Sequence, residues 1–312
     1  MTWELTLTGA LIGILVGLTG MGGGSLMTPI LILVFDFKPT LAIGTDILHG
    51  AIFKSVGAVQ HRRMGNVQAR LSGWMFLGSA PMSLLGVWLA HSLEQRYGDD
   101  LESVMAQVLG GALLFGCAGL LAKTFARAKA SATDRAFVLT TRDRIAAVLI
   151  GVFGGFIVGL TSVGSGVFFG LTMLVVFPLR AHKVVGTDIF HAAALLYVAG
   201  VGHWVAGNVD IGAVGWLLLG SIPGVLLGGH MTLSIPDRPL RGILAAVLGL
   251  AGLRLLEIPG TTTAIVVVLL IGILFLLGAF AKQTVDRARA RRLAALARAA
   301  DGGAGSPRSD SP

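Results

Sequence analysis

The chain has 312 residues, 54% of them hydrophobic and only 13% charged, with 45 glycines, 10 prolines and one cysteine. A mean hydropathy of +0.82 over this length means more apolar surface than one water-facing core can hide, so the solvent for most of the chain is lipid, and a soluble globular protein, a disordered chain and a collagen are excluded. The lone Cys117 closes off a disulfide framework and a multi-thiolate metal site. The net charge of +8 is concentrated around Lys123 to Arg144 and Lys282 to Arg298, both flanking apolar runs as cytoplasmic loops do, so it signals membrane orientation and not nucleic acid.

At about 20 apolar residues per crossing, the candidate segments in chain order are 5–19, 26–35, 42–59, 71–89, 104–121, 145–160, 167–177, 184–205, 213–233, 240–256 and 262–280. The segments 26–35 and 167–177 are too short to cross and each follows a glycine cluster, which predicts half-helices or the return arms of re-entrant hairpins. The opening Met1-Thr2-Trp3-Glu4 has no positive n-region, so the first segment is read as a membrane helix and not a cleaved signal.

The short segments come as a pair because the chain is duplicated. Gly17-Leu18-Thr19 returns as Gly159-Leu160-Thr161, Gly44-Thr45-Asp46-Ile47 as Gly186-Thr187-Asp188-Ile189, His49 as His191, His61 as His203, and Gly65-Asn66-Val67 as Gly207-Asn208-Val209, each pair 142 positions apart. Trp74 with Trp216 and Gly78-Ser79 with Gly220-Ser221 continue the register, giving about 29 identities over roughly 74 positions. The loop after the third segment carries Arg62, Arg63 and Arg70 in the first copy, but Gly207, Asn208, Val209 and Asp210 in the second. Under the positive-inside rule the copies then face opposite ways, with the N-terminus outside and the basic C-terminus in the cytoplasm. A parallel duplication with an even number of spans per half is the alternative. The expected fold is an all-α integral membrane protein of two inverted-topology repeats: 1–122, a basic linker 123–144, a second repeat 145–256, a further helix 257–280 and a basic tail 281–312 whose end is disordered.

The glycine clusters are Gly20-Met21-Gly22-Gly23-Gly24-Ser25 and Ser162-Val163-Gly164-Ser165-Gly166-Val167. A helix broken there frees backbone N–H groups, and a half-helix starting after each would aim the positive end of its dipole at mid-bilayer, which makes an anion site of Gly20, Gly22, Gly23, Gly24, Ser25, Gly164, Ser165 and Gly166. Close helix packing is the alternative for such glycines and the preferred reading of Gly9, Gly13 and Gly17. Neither cluster is a Walker A or dinucleotide loop.

Charges inside a span cost about 3 kcal/mol each, so Asp46, His49 and Lys54, with Asp188 and His191 on the second copy, call for a reason. Lys54 has Leu196 at its repeat position, and as an unmatched cation it is a candidate substrate contact; it could instead snorkel to the interface or neutralise Asp46. Asp46, His49, Asp188 and His191 are candidates for carrying a coupling proton, with helix capping at the membrane surface the competing reading of the two aspartates. His61 and His203 fall at the ends of their segments and read as structural or interfacial, Trp74 and Trp216 as anchors or packing, and no ligand cluster calls for a metal or other cofactor.

The cluster Gly20 to Gly24 with Pro29, the Gly44-Thr45-Asp46 that opens the next segment, the His61 to Val67 loop and the second copy resemble the TauE/SafE family of sulfite exporters, also called the toluene sulfonate uptake permease family. The resemblance covers the chain to about Phe280. It implies a multi-pass permease of the bacterial or archaeal cytoplasmic membrane, moving sulfite, sulfoacetate or a related small anion on the proton gradient. It also implies that the glycine clusters with Thr45 and Thr187 form the centre. This chain departs from the pattern at Leu171, where the first copy has Pro29, and at Asp46 and Asp188, where many members carry Ser or Asn. Beside a secondary anion carrier stand a passive channel or a membrane subunit of a larger complex, and an intramembrane enzyme such as a serine protease, a hydrolase with Ser165 as nucleophile. Expected partners are a small anion, the bilayer and the proton gradient, with a homodimer as an arrangement the architecture allows and no nucleic acid. The chain is expected not to be an enzyme.

Overall fold

A computed structural model describes residues 2–19, 24–97, 100–125, 139–231, 237–261, 263–264 and 267–268. The chain divides into two compact units, 1–268 and 269–312, and the second lies outside the described residues, as does most of the linker expected at 123–144. Among the described residues the structure is helical with no strand. Its elements are α1 Thr2–Thr19, α2 Gly24–Leu33, α3 Pro39–Arg63, α4 Ala69–Tyr97, α5 Asp100–Phe125, α6 Thr141–Thr161, α7 Phe168–Val176, α8 Ala181–Val205, α9 Ile211–Met231 and α10 Asp237–Leu255.

Four of these helices contain a stretch long and apolar enough to cross a bilayer: Ala69–Tyr97, Glu102–Ala122, Thr141–Thr161 and Ala181–Val205. Trp3–Val16, Ile211–Leu227 and Gly242–Leu255 are shorter apolar helical stretches. The helix α3 matches α8 at 25 residues but carries Asp46, His49 and Lys54 in its body and His61, Arg62 and Arg63 in its last turn, which lowers its hydropathy. The helices α2 and α7 have 10 and 9 residues, so at 1.5 Å per residue each is about half a bilayer core long.

Local sequence sets these ends. Pro39 sits in the first turn of α3, where its missing N–H costs nothing. The α3 and α8 C-termini are followed by Gly65 and Gly207 at φ +68° and +81°, the left-handed step that the repeated Gly-Asn-Val supplies to both. A reciprocal pair caps α6: Asp143 N–H donates to Thr140 Oγ1 at 3.2 Å and Thr140 N–H to Asp143 Oδ2 at 2.9 Å. Several helices outrun the apolar segments read from the sequence, α4 by eight residues to Tyr97, because polar turns continue a helix beyond the hydrocarbon.

Helices pack across the two copies. The backbone of α4 lies against α6 and that of α1 against α9, with glycine at the crossings. A Cβ on Gly155 would lie 2.5 Å from Ser79 Cα, and one on Gly13 would lie 2.9 Å from Ser221 Cα, the same contact transposed by the repeat. Gly9 and Gly13 are therefore packing positions, as their spacing implies. Residue numbers rise together along both pairs, so each runs parallel. The repeat partners α3 and α8 run antiparallel, Gly57 meeting Ile189, Gly50 meeting Leu196 and Gly44 meeting His203. The partners α5 and α10 do the same, Gly249 meeting Cys117 and Gly252 meeting Gly110. Among the described residues, one large apolar cluster lies around Ile47, Met75, Phe169 and Leu195, another around Ile12, Met27, Leu31 and Leu217, and a small one around Ala58, Ile189 and Ala193.

Candidate functional site

The second glycine cluster forms a tight buried turn between α6 and α7. Ser162 closes α6 at φ +62°, and Gly164 and Gly166 follow at +122° and +99°, conformations that a side chain would strain. All six residues from Ser162 to Val167 are buried. Of the first cluster, Gly20, Gly22 and Gly23 lie outside the described residues, and Gly24 and Ser25 form the first turn of α2.

Lys54 reaches this turn from the crossing helix: its Nζ donates to Ser165 Oγ at 2.7 Å, and the side chain is 3% exposed. The snorkelling alternative is thereby overturned, because the side chain points inward and ends on a buried hydroxyl. Asp46 Oδ2 accepts from Ser162 Oγ at 2.8 Å and from Thr28 Oγ1 of α2. One carboxylate on α3 therefore ties the second-copy turn to the first-copy short helix.

Capping by the aspartates is overturned as well. The first turn of α3 is built on Pro39 and that of α8 on Ala181, so Asp46 and Asp188 stand in helix interiors, 1% and 3% exposed. The capping groups are instead Thr45 and Thr187, which act across the copies: Thr45 Oγ1 accepts the Asp210 N–H at 3.0 Å and Thr187 Oγ1 the Gln68 N–H at 2.9 Å. Each receives the backbone just before the other copy's fourth helix, and each hydroxyl keeps its own proton to donate. Asn208 O lies where a Cβ on Gly44 would be, and Asn66 O does the same at Gly186, so the repeated Gly-Thr-Asp and Gly-Asn-Val motifs form one interlock used twice.

The histidines are paired with serines of the other copy. His49 Nε2 lies 2.9 Å from Ser221 Oγ, and His191 Nε2 lies 3.4 Å from Ser79 Oγ, in the transposed position. His49 stacks on Phe53 at 5.6 Å and His191 meets the edge of Phe169 at 4.6 Å. His203 is buried and donates to the Gly159 carbonyl at 2.9 Å, a structural brace, whereas His61 is half-buried at the end of α3. The described residues contain no group of three or more metal-ligating side chains.

The structure thus gathers Asp46, Lys54, Ser165 and the Gly164 to Gly166 turn at one place and sets His49 and His191 against serines. Thr28, Ser162, Ser79 and Ser221 join them without having been singled out as site residues. Thr28 and Ser162 were detectable in principle, since their repeat positions are Gly170 and Gly20: hydroxyls stand in one copy where the other has glycine.

The profile described as "Sulfite exporter TauE/SafE" matches residues 5–255. A relative from Bacillus subtilis (strain 168), "Probable membrane transporter protein YjnA", is 37% identical over 256 residues, which is 82% of this chain and the whole of that protein. YdhB of the same organism, also a "Probable membrane transporter protein", is 26% identical, covering 79% of this chain and 96% of its own length. The archaeal "Probable membrane transporter protein MJ0441" of Methanocaldococcus jannaschii is 25% identical, over 81% and 94%. No solved structure matches. A matched profile spanning the described body of the chain, with relatives covered nearly end to end, makes this all-helical protein a membrane transporter of the TauE/SafE sulfite exporter family.

Proposed function

We propose that the protein is a secondary transporter for a small oxyanion, sulfite or a small organosulfonate such as sulfoacetate, coupled to protons and built on two inverted repeats. The observation that carries this reading is the hydrogen bond from buried Lys54 to Ser165, inside a glycine turn that opens directly into the short helix α7. A fixed cation and the N-terminal end of a half-length helix converge there, and each favours a negative ligand. The antiparallel crossing of the repeat partners α3 and α8 supports inversion, because copies related by an axis along the membrane normal would run parallel. In the assigned orientation the basic linker and the basic tail lie in the cytoplasm and the protein is multi-pass in the cytoplasmic membrane.

The chemistry required is exchange of partners. In the state described, Lys54 donates to Ser165 and lies in the fields of Asp188 and Asp46. An arriving oxyanion would take the ammonium and the Ser165 hydroxyl as donors, with the Gly164 to Gly166 backbone close by because no side chain intervenes. Two carboxylates near an anion repel it, so loading is easier when Asp46 or Asp188 has taken a proton. That linkage makes the anion and the proton travel together. His49 and His191 stand on the same helices as those aspartates, one turn along, where a proton can be relayed to Ser221 and Ser79.

The test is flux of labelled sulfite into proteoliposomes with and without an imposed pH gradient, competed by sulfoacetate, sulfolactate, sulfate and a neutral amide, for wild type and Lys54→Ala. Saturable uptake that runs uphill toward the alkaline side, and is lost in the variant, is the expected result. Flux that neither saturates nor follows the gradient would replace the carrier with a passive channel, and no anion response across the panel would replace it with a subunit role.

A further inference from the structure

A groove of about 340 Å³ opens between the first turns of α4 and α6, lined by Trp74, Thr141, Arg144, Ile145, Val148 and Leu149. It plays no part in the buried centre, and its make-up is amphipathic along the helix axis. At its end the Arg144 guanidinium lies over the Trp74 ring, 5.5 Å from the centroid. Below it Ile145 and Leu149 are 57% and 51% exposed, and Phe153, one turn further along α6, is 64% exposed, so an apolar strip runs from the guanidinium down the helix.

We infer that this groove holds one anionic phospholipid, with the phosphate on Arg144 and an acyl chain along Ile145, Leu149 and Phe153. A guanidinium held over an indole ring can still turn its N–H edge outward to donate, which suits a phosphate oxygen pair better than a mobile ammonium would. The nearest carboxylate in sequence, Asp143, is turned to the Thr140 backbone and hydroxyl as the α6 cap. The helices α4 and α6 run parallel, so both present their N-terminal ends here, beside the exposed Arg70 and Arg142.

The duplication supplies an internal comparison. The transposed pair α9 and α1 packs in the same way and keeps an aromatic, Trp216, at the Trp74 position, but has Thr2 where Arg144 stands and Gly212 where Arg70 stands. An aromatic anchor is thus common to both pairs, whereas the cation is present on one alone. That is the pattern of a headgroup site at one end of the molecule and not of packing required by the fold.

The experiment is native mass spectrometry of the full chain released from micelles loaded with phosphatidylglycerol or phosphatidylcholine at equal ratio. One phosphatidylglycerol retained per chain in preference to phosphatidylcholine is expected. Arg144→Gln should lower that retention about fivefold, what one arginine contributes near an anionic surface, and Arg254→Gln, at the exposed end of α10 away from the groove, should leave it unchanged. Equal retention of the two lipids, or equal effects of the two variants, would overturn the site. Displacement by glycerol phosphate would overturn the acyl-chain half of the inference and leave a free phosphate site. Should Arg144→Gln fail to fold, the wild-type comparison of the two lipids still decides.

Discussion

At the scale of single residues the molecule is governed by the cost of burying charge. Lys54 is enclosed with Asp46 and Asp188 acting on it, so removing the cation takes a favourable field away from both buried carboxylates. Lys54→Gln should therefore destabilise the protein by about 3 kcal/mol, and adding Asp188→Asn should restore part of that loss, a coupling that thermal unfolding of the single and double variants in detergent will reveal. Additive losses would show that the two groups do not share a field. Ser165 tests the site differently. Ser165→Ala takes from Lys54 its 2.7 Å acceptor, and the expected result is sulfite uptake with KM raised about tenfold, the worth of one charge-assisted hydrogen bond. Uptake with unchanged KM would remove Ser165 from the binding site. Total loss of activity with folding intact would reopen the hydrolase reading.

At the scale of elements, contact between the copies depends on glycines whose missing side chain is replaced by a neighbour's backbone. The α4 and α6 axes approach closely because Gly151, Gly155 and Gly159 each face backbone of Met75, Ser79 and Ser83. Backbone cannot swing aside as a side chain can, so Gly155→Ala should cost about 1–3 kcal/mol. Gly73, on α4 but with no atom within 4 Å of its would-be Cβ, is the control: Gly73→Ala should be neutral or stabilising by about 0.5–1 kcal/mol, the helix preference of alanine over glycine. Heating each variant and scoring the monodisperse fraction by size exclusion checks the ordering. The interlock of Gly44 with Asn208 O and of Thr45 with the Asp210 N–H places the start of one copy's third helix against the loop ending the other's. Packing in lipid without a hydrophobic drive rests on such close fits and on satisfied backbone groups.

At the scale of the whole molecule, two copies of one unit carry a polar centre that is not itself duplicated. Thr28, Lys54, Ser162 and Ser165 have Gly170, Leu196, Gly20 and Gly23 as repeat partners, so the hydroxyls and the cation belong to one side of the pseudo-symmetry. If the proposed carrier works by alternating access between inverted halves, its site must be reachable from either side, and a one-sided centre would make the two open states bind substrate unequally. Asp46→Asn should accordingly keep sulfite exchange at equal pH while losing uphill uptake driven by an acid exterior. Retained uphill uptake would move the coupling proton to another group. The basic tail from Lys282 is helix-prone and polar on the sequence pattern, and truncation at Arg287 should leave flux nearly unchanged in the same vesicles.

Much of this protein was legible from the chain itself. Hydropathy identified a membrane protein, the 142-residue register revealed the duplication, and the glycine clusters marked the short helices, because each of these is a pattern in sequence spacing. The family followed from the same motifs. Which polar residues meet could not be read that way. The Lys54 to Ser165 bond spans 111 positions, and that of Ser162 to Asp46 spans 116, joining the two copies through helix crossings that no local pattern encodes. Spacing placed Thr45 and Asp46 side by side at the start of a segment, and the packing of α3 against the start of α9, against α2 and against the end of α6 gave them different work. The threonine caps a partner helix, and the aspartate is buried against the Ser162 and Thr28 hydroxyls, because in a helix adjacent side chains point about 100° apart and meet different neighbours.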